Sequence, residues 1–131
     1  MFMLDTNICS YILKDRPPGL RHRLKTCPSP VISSMVYAEL RYGIALGAPH
    51  LQKARYQQLQ LFTGLLEIID WDSAAAEHYG DIRAALKRQG AIIGNMDLLI
   101  AAHARSLGCV LVSNNIREFQ RVEGLRLENW A

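Results

Sequence analysis

Met1-Phe2-Met3-Leu4-Asp5-Thr6-Asn7 opens the chain as a short apolar run that stops at an acid. Four apolar residues in a row lack the alternation of a half-solvated strand. The run therefore predicts a parallel strand covered on both faces, with Asp5 at its carboxyl end and Asn7 capping the next helix. In open α/β sheets ligands bind outside the carboxyl ends of the strands, where an Asp at a strand end would meet them. A turn and a helix cap would use Asp5 and Asn7 equally well, so the reading depends on what else converges on that edge.

Outward from this run, Ile8, Tyr11, Ile12 and Asp15 keep helical spacing to Arg16, where Pro17-Pro18 ends one helix and begins a second short one. Val31-Ile32-Ser33 reads as a second strand whose Ser33-Ser34 pair can cap a helix from Met35 to Leu46. A polar helix from His50 to Leu65 leads to a third strand, Leu66 to Ile69, and a long helix runs from Ser73 to the stop at Gln89-Gly90. Asn95 to Leu107 is a helix closed by Gly108, and Cys109-Val110-Leu111-Val112-Ser113 is the clearest buried strand. A turn with a short helix fills Asn114 to Glu123, and Leu125-Arg126-Leu127 is left as an edge strand. Strands and helices alternate, with connections too long for hairpins. The expected fold is a parallel α/β sheet in a three-layer sandwich, one domain spanning 1–131.

A chain of 131 residues buries about two thirds of its unfolded surface and needs no staples. Cys9, Cys27 and Cys109 are odd in number, without the spacing of a zinc site, and read as reduced thiols of a cytoplasmic protein. No basic leader precedes the first apolar residues, and no run approaches a membrane span. Net charge is +3. If four of the 12 acids gather in one site, fifteen Lys and Arg face the remaining eight, a surface suited to a polyanion. The densest basic stretch, Lys14 to Lys25 with Arg16, Arg21 and Arg23, would hold phosphate backbone.

Three further acids point to the same edge as Asp5. Glu39 follows the second strand, with Met35, Val36, Tyr42 and Gly43 as helical neighbours. Asp97 lies in the first turn of its helix below Ile100, Ala101 and Ala104, where an acid must be paired, protonated or bound to a cation. After the best strand, Ser113, Asn115 and Glu118 offer further oxygen ligands. Right-handed crossovers let all four acids reach one edge. Acids without His or Cys make an all-oxygen site, which suits Mg²⁺ or Mn²⁺. Two carboxylates ~5 Å apart repel by about 3 kcal/mol at an effective dielectric of ~20. A divalent cation relieves that repulsion and supplies what phosphodiester hydrolysis requires.

The residues that carry this reading also carry a likeness. Met3-Leu4-Asp5-Thr6-Asn7, Ser33-Ser34-Met35-Val36-Tyr37-Ala38-Glu39-Leu40 with Tyr42-Gly43, Ile93-Gly94-Asn95-Met96-Asp97-Leu98-Leu99-Ile100-Ala101-Ala102-His103-Ala104, and Val112-Ser113-Asn114-Asn115 with Arg117-Glu118-Phe119 occur in order at domain-scale spacing. In this the chain resembles the PIN-domain ribonucleases, and within them the VapC toxins of bacterial type II toxin–antitoxin pairs. The resemblance implies a PIN-like three-layer sandwich with an open parallel five-stranded sheet. It also implies an endoribonuclease dependent on Mg²⁺ or Mn²⁺, acting on transfer RNA with the anticodon region of the initiator as first candidate. A VapB antitoxin would silence it, and a toxin homodimer would assemble into a higher complex with that partner. Asp5, Glu39 and Asp97 would hold the metal, with Thr6, Asn7, Ser113 and Asn115 around them and Arg21, Arg23 and Lys25 on the RNA. Many members carry Asp where this chain has Asn115. Either Glu118 supplies the fourth carboxylate, as an outer ligand, or three acids suffice and Asn115 holds a metal-bound water. The rival of another class is a catalytically weak PIN-like module that binds RNA or protein. Intact Asp5, Glu39 and Asp97 argue against it, and Asn115 leaves it room.

Overall fold

A computed structural model describes residues 1–131. The opening strand β1 (Phe2–Leu4) is the middle of a five-stranded sheet. Met3 and Leu4 are fully buried, as an apolar run covered on both faces requires. Next come helices α1 (Thr6–Lys14) and α2 (Leu20–Thr26), strand β2 (Pro30–Ser33), helices α3 (Ser34–Leu46) and α4 (Pro49–Thr63), and strand β3 (Glu67–Ile69). Helices α5 (Ser73–Arg88) and α6 (Asn95–Leu107) lead to β4 (Val110–Val112), and the four-residue α7 (Ile116–Phe119) to β5 (Arg126–Glu128). The strand order is β3-β2-β1-β4-β5 and every pairing is parallel.

That order contains one reversal. The chain winds outward from β1 to β3, returns across the sheet through α5 and α6 to β4, and then winds outward the other way to β5. Right-handed crossovers therefore set α1 to α4 on one face and α5 to α7 on the other. Main-chain bonding tightens the seam between the halves: Phe2 pairs with Val110, Leu4 with Val112, and Asp5 N–H donates to Val112 O at 3.1 Å. A single cluster of 27 buried apolar residues fills the interior, from Met3 and Ile8 to Phe119 and Trp130. β3 is its poorest member, with Glu67 and Ile68 exposed at the sheet edge.

Three details differ from the sequence reading. The N-cap of α1 is Asp5 rather than Asn7: its Oδ1 accepts the Ile8 N–H at 2.9 Å, and Asn7 lies inside the first turn, exposed. A cap acceptor must reach a free N–H two or three residues on, which Asp5 does from extended backbone. α1 stops at Lys14 because Asp15 turns left-handed at φ 54°, before the proline pair is reached. α2 starts only at Leu20, after Gly19 takes φ 96°. The expected end of α6 holds: Gly108 closes it at φ 63°.

Candidate active site

The winding of the chain reverses between β1 and β4, and it is outside the carboxyl ends of the strands at such a point that an open α/β sheet places its ligands. Asp5 leaves β1 there and Ser113 leaves β4, both buried. The Ser113 hydroxyl donates to the Asp5 carboxylate and accepts the Asn115 N–H at 2.9 Å. Burial pushes the Asp5 carboxyl above its usual range, against the hydrogen bonds from Ser113 and the Ile8 N–H that hold it down.

Asp97 comes from the first turn of α6 and Glu118 from α7, which the fully buried Phe119 pins beneath the sheet edge. The carboxyl of Asp97 is pushed up to about 6, first by burial, then by the negative charges of Glu118 and Asp5, and by a hydrogen bond shared with Glu118. Only Asn115 opposes the shift. Its Nδ2 lies 3.1 Å from Asp97 Oδ2 and 3.3 Å from Glu118 Oε2. Asp97 thus feels the charges of both Asp5 and Glu118, with Ser113 and Asn115 bonded among the three.

Glu39 is set apart from this group. It lies half-buried on α3 and lines a neighbouring groove of about 640 Å³ with Thr6, Lys14, Arg16 and Arg55. None of those three cations pairs with a carboxylate. The buried hydroxyl of Thr6 has no hydrogen-bond partner. Arg21 and Arg23, expected on RNA, are engaged within the fold. Arg21 donates to Ile12 O and Leu13 O at 3.0 and 2.9 Å, closing the end of α1, and Arg23 bonds Glu128 at 3.0 Å while stacking over Trp130. Lys25 borders an apolar hollow with Leu24, Leu61 and Leu65. Arg55 was missed because nothing in the polar pattern of α4 tells which of its cations faces the acids. His103 is buried, its Nδ1 2.8 Å from Ser33 Oγ, and its Nε2 has no partner.

No three His, Cys, Asp or Glu side chains are drawn together as a ready-made metal cage. The donor chemistry nevertheless fits a hard divalent cation. All the ligating atoms are oxygens, and the protonation of Asp5 and Asp97 is raised by the burial and crowding that a cation would offset.

The sequence profile of the PIN domain matches residues 2–125. The tRNA(fMet)-specific endonuclease VapC of Shigella flexneri is 43% identical, aligned over 99% of this chain and 98% of its own. The chain belongs to the PIN-domain family, among the VapC ribonucleases. Ribonuclease VapC2 of Rickettsia felis is 42% identical with the same two coverages. This PIN domain also superposes on the VapBC2 complex of Rickettsia felis, crystallised on a fragment of promoter DNA, with TM-score 0.91 and 41% identity over 99% of this chain and 98% of that one. FitAcB of Neisseria gonorrhoeae matches at TM-score 0.88 and 26% identity over 98% and 97%. The all-parallel five-stranded sheet is thus the PIN sandwich that the motifs implied.

Proposed function

We propose that this PIN domain, acting as one unit over 1–131, is the toxin of a type II toxin–antitoxin pair: an endoribonuclease that hydrolyses RNA phosphodiester bonds with Mg²⁺ or Mn²⁺. The observation that carries the proposal is the charge-coupled group of Asp5, Asp97 and Glu118 at the sheet's reversal point. Asp5 and Asp97 would hold the cation with Glu118 beside them, and Glu39 would close the site from α3. A bound divalent cation supplies an acidified water and positive charge where the phosphoryl oxygens gain electrons.

The chain's own residues do the rest. Ser113 and the Ile8 N–H hold the Asp5 carboxylate in place at the carboxyl end of β1. Lys14, Arg16 and Arg55 line the approach beside Glu39 and would hold backbone phosphates flanking the scissile bond, adding affinity without base choice. The tRNA(fMet) specificity in the name of the Shigella flexneri relative supports initiator transfer RNA, at its anticodon region, as the first substrate to test, in the cytoplasm. The VapBC complexes among the structural relatives support a VapB-type antitoxin as partner, and a toxin homodimer within the higher complex. Helices do not place the chain in a bilayer, since none is long and apolar enough to cross one.

One observation favours a catalytically weak binding module instead: an amide, Asn115, stands where the family resemblance leads one to expect an acid. Cleavage of initiator transfer RNA by purified protein decides between them. Activity should need Mg²⁺ or Mn²⁺, vanish in EDTA, and fall at least a hundredfold in Asp97→Asn. Undiminished cleavage in EDTA, or wild-type activity in Asp97→Asn, overturns the metal mechanism; binding without cleavage in any metal establishes the module.

A further inference from the structure

Asn115 occupies the position before α7, where an Asn side chain ordinarily accepts the helix's own N–H groups. It makes no such bond. Its amide nitrogen is turned to two carboxylates instead, 3.1 Å from Asp97 and 3.3 Å from Glu118. The chemistry leaves no choice of orientation: the nitrogen carries two donor hydrogens, the carboxylates offer acceptors, and the amide oxygen would only add repulsion. The backbone is held for this purpose. Asn115 N–H donates to Ser113 Oγ, whose hydroxyl serves Asp5, and the neighbouring Asn114 turns the other way to donate to Tyr11 at 3.0 Å.

We propose that Asn115 is a positioning residue that stands in for part of the cation: its two amide hydrogens bridge Asp97 and Glu118 and hold them side by side in the metal-free protein. The bridge is a property of the apo chain, and only its consequence for metal binding rests on the proposed function. With the bridge, this one pair of carboxylates is already together before the cation arrives, and only the remaining acids have to close on it. Without it, their mutual repulsion opens the pair until a cation closes it again. A carboxylate at the same position would exchange two donors for another negative charge. That variant would assemble its site only around metal, while attracting metal more strongly.

Five proteins test this by thermal melting in EDTA and by calorimetric titration with Mn²⁺: wild type, Asn115→Ala, Asn115→Asp, and Glu118→Gln with and without Asn115→Ala. Asn115→Ala should melt lower in EDTA and bind Mn²⁺ about ten- to a hundredfold more weakly, the usual cost of losing a group that orients a metal ligand. Asn115→Asp should melt lower still in EDTA, yet gain more from Mn²⁺ than wild type does. In the Glu118→Gln background Asp97 can bond its neighbour directly, so Asn115→Ala should no longer lower the melting temperature. Equal losses in both backgrounds would mean that Asn115 only supports the turn, and undiminished Mn²⁺ affinity in Asn115→Ala would likewise overturn the proposal. A wild type that binds no Mn²⁺ would sink the metal reading of the site, while the EDTA melts would still confirm or refute the bridge itself.

Discussion

The carboxylate of Asp5 accepts the Ile8 N–H as the cap of α1 while facing the negative charge of Asp97. Asn caps a helix about as well as Asp, so Asp5→Asn removes the charge and keeps the cap. The variant should melt higher than wild type in EDTA and lose most of the stabilisation that Mg²⁺ gives by binding the folded state. Melting lower in EDTA would make the cap the larger part of what Asp5 does. Two other residues set the pH response of the metal-free protein with opposite signs. Asp97 titrates near 6 when folded, above its unfolded 3.8, so its contribution is fully present below 3.8 and is lost as pH rises through about 6. His103 is shifted down, by burial first and against the attraction of Asp72 and Asp70, so its contribution is present above its unfolded 6.5 and lost as pH falls toward its folded value. Urea midpoints in EDTA between pH 4 and 8 should separate the two. Asp97→Asn leaves the loss on acidification, and His103→Gln leaves the gain; a variant that tracks wild type assigns no role to its residue.

At the scale of elements, the hairpin of α1 and α2 shows how one composition serves two purposes. Its cations read alike in sequence, but only the fold tells which are free. Arg21 donates to two carbonyls in the last turn of α1, Leu13 O and the Ile12 O that also accepts the Asp15 N–H, so Arg21→Ala should destabilise by about 1 kcal/mol. RNA affinity should change little. Arg55→Ala and Lys14→Ala should do the reverse, leaving the melting temperature alone while weakening RNA binding and reducing its salt dependence by about one ion each. Filter binding of initiator transfer RNA across a salt series, beside thermal melts, checks both halves; a loss of RNA affinity in Arg21→Ala at unchanged stability would return Arg21 to the interface.

For the molecule as a whole, stability should be graded across the sheet, because β1 and β4 are covered on both faces and β3 is a half-exposed edge. In hydrogen exchange the amides of Leu4, Leu111 and Val112 should be the last to open and those of β3 the first among the strands, isolating the acids' platform from fraying at the edge. Uniform protection would contradict that grading. The same sheet shows where sequence stops deciding. Local rules act within a turn or a strand, so apolar runs ending in Asp5 or Ser113, serine before α3 and Gly108 after α6 were enough for the elements, their alternation and the parallel sheet. The motifs around Asp5, Glu39, Asp97 and Glu118 were enough for the family. The cap belonged to Asp5 rather than Asn7 because a cap is chosen by which oxygen reaches the free N–H, which depends on the backbone angle leaving β1. The pairing of Asn115 with Asp97 and Glu118, the engagement of Arg21 and Arg23, the free cations beside Glu39 and the bond between His103 and Ser33 all join residues distant in the chain. Only tertiary structure decided them, because hydrogen bonds and charges act over a few ångströms of space, and sequence records separation along the chain alone.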